Sequence, residues 1–309
     1  MMRAIAIFLA LAAVCGAVPA EAKRLDDTPR TVVMTAFSPE WDALAPAISK
    51  PREYKVNGLT FLTGKLEGKP VVLMASGVSM VNAAMNTQLV LDRFNVRRIV
   101  FSGIAGGVDP ELSIGDVVVA QDWAQYLEVS FARQTEQGWV VPEEVDAGAP
   151  KNWNMMFPRG VRLGNAAEPM QRHYTIAVDP GLVDLARKVT SEVTLRRCAK
   201  DGPPEQAGPC LPQTPRIVVG VTGVSAGVFA DNAEFRGYLQ QAWHARVLDM
   251  ESAAVAQVAY ANRVPAIVFR SLSDLAGGDA GANQMNAFMA LASVNSAHVV
   301  RAFVAALPD

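Results

Sequence analysis

The stretch Val247-Leu248-Asp249-Met250-Glu251-Ser252-Ala253-Ala254 decides the reading of this chain. It sets carboxylates into an otherwise small, apolar run. A short apolar run that gives way to small residues reads as a buried strand feeding a helix. Packing asks for no charge there, and an unpaired buried charge is costly. About twenty residues on, Phe269-Arg270-Ser271-Leu272-Ser273-Asp274-Leu275-Ala276-Gly277-Gly278 is a second apolar strand that ends on an acid. Acids at strand ends point to a site that holds a polar ligand.

Outward from these segments, residues 31–36 (TVVMTA), 59–66, 71–75, 98–101, 116–120, 216–222, 246–249 and 266–269 read as strands. Residues 78–94, 179–193, 232–241, 251–262 and 283–306 carry helical spacing, and a further helix starts within 40–48. Strands and helices alternate. That predicts an α/β fold, a single domain over 31–309 with a mixed, mostly parallel central sheet flanked by helices. Residues 23–30 form a charged, Pro-containing lead-in. Residues 121–175, with Trp123, Tyr126, Trp139, Trp153, Phe157, His173 and Tyr174, are less regular. They read as long loops with some strand, suited to a lid or a subunit contact.

The 309 residues are 50% hydrophobic and 19% charged, with a formal charge of −2. No basic cluster stands out, so the chain lacks the electrostatic footprint of a nucleic-acid binder. The N-terminus reads as a signal peptide over 1–22: Arg3 supplies a positive start, residues 4–18 an apolar stretch, and Ala20-Glu21-Ala22 a small-x-small cleavage pattern. The apolar stretch is short for a membrane span, and Val14 before Cys15 fits lipid attachment poorly, so no stable membrane anchor is expected. Periplasmic or secreted localisation follows. Removing the signal leaves Cys198 and Cys210, flanking a polar Pro/Gly loop. A disulfide there would staple a surface excursion in an oxidising compartment, the alternative being two free thiols.

Three acids stand out. Glu40 follows the first strand, Glu251 the 246–249 strand, and Asp274 the 266–269 strand. Singly, each has a bland reading as a helix-dipole partner or cap. Together, at the strand ends of one mostly parallel sheet, they line the place where such sheets bind ligands. Ser102-Gly103-Ile104-Ala105-Gly106-Gly107 reads as a glycine-rich turn after a strand, offering backbone amides at close range. It lacks the Lys-Ser/Thr of a phosphate loop and the spacing of a dinucleotide fingerprint. His173, His244 and His298 show no ligand spacing, so no metal and no cofactor are predicted. No Gly-x-Ser-x-Gly elbow supports an acyl-transfer triad.

These residues carry a resemblance. Ala36 to Trp41, Ser76-Gly77-Val78, Ser102 to Gly107, Gly115-Asp116, Val228-Phe229-Ala230-Asp231-Asn232, Asp249 to Ala254 and Arg270 to Ala276 occur in the order of the nucleoside phosphorylase/nucleosidase superfamily. The chain resembles its purine-type branch, in particular the methylthioadenosine/S-adenosylhomocysteine nucleosidases and the exported bark-storage-protein relatives. The resemblance implies a phosphorylase/hydrolase-like fold, a small-molecule nucleoside as partner and a homodimer. It implies that Met250 and Glu251 bind the ribose and that Asp274, beside Ser273, protonates the purine. It implies that Glu40 activates water and that Phe229 stacks on the base with Ala230 at its edge. Ser76 and the backbone of Ile104, Ala105 and Gly106 would border sugar and water.

Phosphorylases of this superfamily carry a Gly-Asp-Pro-x-Arg-type loop after the first strand. Here Phe37-Ser38-Pro39-Glu40 stands in that place, and a carboxylate repels phosphate, which favours hydrolysis. A phosphate-dependent phosphorylase and a non-catalytic nucleoside-binding or storage protein are the alternatives. The chain departs from the family pattern at Ile104, at residues 222–227 and in the length of 121–175.

Overall fold

The computed structural model describes residues 23–200 and 208–308, so the expected signal segment, 1–22, lies outside the described residues. The first strand, β1 (Asp26–Thr35), starts inside the charged lead-in rather than at residue 31. Arg30 draws that segment into the sheet. Its Nε donates to Asp26 Oδ2 at 2.8 Å, and its Nη1 donates to the carbonyls of Gly64 and Val71 at 3.2 Å each.

The first half continues with α1 (Ser38–Leu44), a meander of β2 (Ser49–Val56), β3 (Leu59–Leu66) and β4 (Lys69–Ala75), α2 (Met80–Arg93), β5 (Phe94–Gly107) and β6 (Val117–Gln125). Strand β2 is not foreseen from sequence. It is an exposed sheet edge whose charged residues hide the alternation that marks a strand. Residues 129–173 form small hairpins, pairing β7 (Val129–Phe131) with β10 (Met156–Pro158), β8 (Gln134–Thr135) with β9 (Gly138–Trp139), and β11 (Val161–Leu163) with β12 (Gln171–His173). Then come β13 (Ile176–Ala177), α3 (Pro180–Thr190), β14 (Ile217–Ser225), α4 (Ala233–Trp243), β15 (Ala245–Asp249), α5 (Ser252–Asn262), β16 (Ala266–Asp274) and α6 (Met285–Ala306).

The ten-stranded central sheet is mixed. Pairing is parallel where β1 meets β4 and β5, where β14 meets β6 and β15, and where β16 meets β5. It is antiparallel in the β2–β3–β4 meander and where β15 meets β5 and β16 meets β6. Because β16 bonds both β5 and β6, the path β6–β14–β15–β5–β16 closes on itself. Every residue of β16 is buried, as its unbroken position inside that ring requires.

One expectation is corrected here. Ser102 to Gly107 is no turn; β5 runs through it to Gly107, held by β16 on one side and β15 on the other. The glycines make room for side chains instead. A Cβ on Gly103 would sit 1.8 Å from Arg270 Nη1, and one on Gly106 would sit 3.1 Å from Asp274 Oδ1.

Helix α6 lies on β16 and β5 and buries Leu291, Val299, Val300, Phe303 and Val304 completely. Each such side chain contributes about 1.5–3 kcal/mol on leaving water. Among the described residues α6 is the helix long and apolar enough to cross a membrane, with a mean hydropathy of 1.4; 56% of that stretch is buried in the fold. A second apolar cluster gathers Tyr126, Trp153, Phe235 and Tyr238, with Trp153 5.2 Å from Tyr238 between ring centroids. This cluster seats the hairpins on α4. Cys198 and Cys210 are joined by a disulfide.

Candidate active site

Helix α1 begins with a proline near its first turn, where the missing amide hydrogen is not needed. This delivers Glu40, 2% exposed, into the space between β1 and β5. Its Oε2 accepts from the Ala36 amide at 2.5 Å and its Oε1 from the Ile104 amide at 2.8 Å. Burial pushes the Glu40 carboxyl up, against the pull of Arg270 and of those amides toward the ionised form.

At the end of β15, Asp249 caps α5. Its Oδ1 accepts from the amides of Glu251 (3.1 Å) and Ser252 (3.0 Å) and from Ser225 Oγ (2.5 Å). The N-cap residue itself, Glu251, makes no side-chain cap bond. Its carboxylate is therefore free for other partners. Oε1 accepts from the Ser79 amide at 2.8 Å, and Oε2 lies 3.4 Å from Arg270 Nη2. Burial, opposed by Arg270, pushes the Glu251 carboxyl up to about 7.

Arg270 is the centre of the arrangement, and sequence reasoning assigned it no role. It is wholly buried in β16, its Nε 2.6 Å from Asp249 Oδ2, its Nη1 3.8 Å from Glu40 Oε1, and its guanidinium 4.1 Å from the centre of the Phe101 ring. A planar, delocalised cation suits a buried cluster of carboxylates and an aromatic face at once. The available signal was a lone charge inside Ala266–Asp274, a strand otherwise made of apolar residues and serines until its terminal acid.

Asp274 ends β16, 4% exposed. Its Oδ1 accepts from the Ala276 amide at 2.9 Å and faces Asn283 Nδ2 at 3.4 Å; its Oδ2 lies 2.9 Å from Ser273 Oγ. Ser273 Oγ also reaches the Ala105 carbonyl at 3.3 Å. Burial raises the Asp274 carboxyl, and these donors partly offset it.

A cavity of about 260 Å³ brings these groups together. Glu40, Glu251 and Asp274 line it, with Met250, Ser273, Phe229, Ala230, Ile104, Ala105 and Gly106. Asp249, Val78, Val228 and Met285, to which the sequence reading gave no role, line it too. Phe229 stands at the mouth, half exposed. Ser76 is not on the cavity wall. It is fully buried, with its Oγ donating to the Gly77 carbonyl at 2.9 Å and its own carbonyl accepting from Asn86 Nδ2 at 2.7 Å. It shapes the turn that carries Val78 and Ser79. Among the described residues no group of three or more His, Cys, Asp or Glu is arranged to hold a metal ion.

A closed α/β ring with four carboxylates around one cavity suits a small-molecule enzyme rather than a polymer-binding surface. The phosphorylase superfamily model matches residues 30–305, and the chain belongs to that family, among its N-ribosyl hydrolases. The 5′-methylthioadenosine/S-adenosylhomocysteine nucleosidase of Mycobacterium tuberculosis is 30% identical over 268 residues, 87% of this chain and 94% of the relative. That of Halalkalibacterium halodurans is 29% identical, with 89% and 97% covered. Among solved structures, the S. pneumoniae nucleosidase with the transition-state inhibitor MT-ImmA shares the fold at a TM-score of 0.66 and 23% identity, covering 90% of this chain and 100% of that one. The futalosine hydrolase of Helicobacter pylori shares it at a TM-score of 0.66 and 21% identity, covering 90% and 98%.

Proposed function

We propose that the chain hydrolyses the C1′–N9 bond of an adenosine-type purine nucleoside. The observation that carries this reading is the meeting of Glu40, Glu251 and Asp274 in one cavity with Met250 and Phe229. As the bond breaks, its electrons move to the base and positive charge grows on the sugar. Asp274 gives its proton to N7 of the leaving purine. Glu40 takes a proton from water as the water oxygen bonds to C1′. Glu251, with Met250 packed beneath, accepts from the ribose hydroxyls. Each proton-transfer group supplies typically about 10²–10⁴-fold. Burial shifts the Asp274 carboxyl toward its protonated form, the direction a general acid needs.

Water rather than phosphate is supported by charge. Among the described residues no cationic side chain lines the cavity, and Arg270 behind it is engaged by three carboxylates. A phosphate dianion would meet net negative charge. The apolar rim of Val78, Val228, Phe229 and Met285 suits an apolar 5′-substituent, such as the methylthio group in the names of the relatives. Residues 1–22 and the Cys198–Cys210 disulfide support action outside the cytoplasm. The exposed Val81 and Met85 of α2 offer an apolar face for a homodimer.

The test is release of free adenine from methylthioadenosine and adenosine in phosphate-free buffer, by wild type and Glu40→Gln. Release by wild type and its loss in Glu40→Gln supports the reading. Ribose 1-phosphate formed only on adding phosphate overturns it in favour of phosphorolysis. Thermal stabilisation by the nucleoside without release overturns it in favour of a binding protein.

A further inference from the structure

Two loops meet over the base end of the cavity. One, residues 226–232 between β14 and α4, carries Phe229 and Ala230; the other, 275–284, links Asp274 to α6. Their backbones touch: the Asn232 amide donates to the Ala276 carbonyl at 3.3 Å, and a Cβ on Gly277 would lie 2.4 Å from Asn232 N. Asn283 spans the same junction with its side chain. Its Oδ1 accepts from the Met285 amide at 2.9 Å, which fixes the amide's orientation and turns both Nδ2 hydrogens away. One faces Asp231 Oδ1 at 3.1 Å and the other Asp274 Oδ1 at 3.4 Å.

We propose that Asn283 is a positioning residue that couples the base-stacking loop to the general acid. The inference rests on the nucleosidase reading above. Asp231 is the firm anchor and Asp274 the responsive partner. The Ala276 amide and Asn283 both donate to Oδ1, so Oδ1 is kept as an acceptor and the transferable proton resides on Oδ2. With Oδ2 protonated, Ser273 Oγ is free to donate to the Ala105 carbonyl. The one amide thus sets which oxygen of Asp274 carries the proton and where the Phe229 segment sits relative to it.

The charged groups around Asp274 give the sign. Asp279 on its own loop favours the protonated acid, and Asp231, sharing the Asn283 amide from the facing loop, brings a second like charge to the same junction. Arg236 of α4 lies beyond them, its Nε donating to the Gly107 carbonyl at 2.9 Å and its charge facing Asp109 and Asp279. On β5, Gly106 is the neighbour and carries no charge. On α6, Met285 lines the cavity at this end and carries none either. Asn283 donates to the ionised form, so its removal moves Asp274 toward protonation.

The experiment is the pH dependence of kcat, with KM for adenosine, in wild type, Asn283→Ala, Asn283→Asp and Asp231→Ala. In Asn283→Ala the alkaline limb of kcat moves to higher pH by about half a unit and KM rises several-fold. In Asn283→Asp, which keeps the acceptor toward Met285 but places a third carboxylate there, the limb moves further in the same direction. Asp231→Ala raises KM and moves the limb to lower pH, because a like charge is lost. Active variants whose limbs all coincide with wild type overturn the coupling, even where kcat falls uniformly. An inactive wild type overturns the nucleosidase reading instead and is distinguished by the adenine-release assay.

Discussion

Arg270 Nε lies 2.6 Å from Asp249 Oδ2, with both side chains out of solvent, and the same guanidinium reaches Glu251 and Glu40. One buried cation therefore sets the spacing of three acids, Asp249 that caps α5, Glu251 and Glu40. All three line the cavity, and Asp249 also fixes the start of α5, next to Glu251.

Removing that cation leaves three carboxylates without a counter-charge. Breaking one side of a buried ion pair costs about 3–5 kcal/mol. Arg270→Met is expected to lose at least that in denaturant unfolding. Arg270→Lys, which keeps the charge and loses the fork, is expected to fall between Met and wild type. Equal stability of Arg270→Met and wild type would contradict the central role given to this residue.

Asp274→Asn keeps the side-chain shape and an acceptor for the Ala276 amide but has no proton to give. Turnover of adenosine is expected to fall about 10²–10⁴-fold, with the melting temperature within a few degrees of wild type. Steady-state adenine release and a thermal melt check both halves. Near-normal turnover refutes the assignment of the acid.

The pH profile follows from the directions of the carboxyl shifts. In the proposed mechanism Glu40 and Glu251 act ionised, so activity rises as pH climbs through their values, and burial pushes Glu251 up to about 7. In the same mechanism Asp274 acts protonated, so activity is lost as pH rises through its value, which burial raises. The ascending limb of kcat/KM is expected near neutrality rather than near the usual carboxylate values. A flat profile from pH 4 upward would remove the basis for the raised Glu251.

The Cys198–Cys210 bridge closes a sequence separation of 12. Replacing both with serine, or adding reductant to wild type, is expected to cost about 3 kcal/mol of stability. Neither cysteine lines the cavity, so kcat at 25 °C is expected to be unchanged. A bridge that contributes nothing to the melting temperature would count against a stapling role.

The strands and helices that position the site were legible because they are apolar and regular: β14 to β16 and α5 stand within a few residues of their expected bounds. The three acids were legible for the complementary reason, as charges where packing asks for none. Arg270 was printed in the same segment, but its meaning depends on Asp249, Glu251 and Glu40 arriving from other strands, which no local spacing reveals. The glycines of β5 misled because a glycine run usually signals a turn. Here Gly103 and Gly106 answer a demand from the neighbouring strand, where Arg270 and Asp274 occupy the space a Cβ would take. Strand β2 was missed because its exposed edge is written in charged residues. Ser76 was misplaced because motif order marks the turn and says nothing of which way a hydroxyl faces.

The double pairing of β16 reaches beyond architecture. A strand laced on both sides inside a closed ring has amides that exchange with solvent only when the whole domain comes apart, whereas loops such as 275–284 open locally. Ser273 and Asp274 are its last two residues. The double pairing covers residues 269–271, and Asp274, paired with Gly106 alone, sits where that slow-exchanging stretch passes into the 275–284 loop.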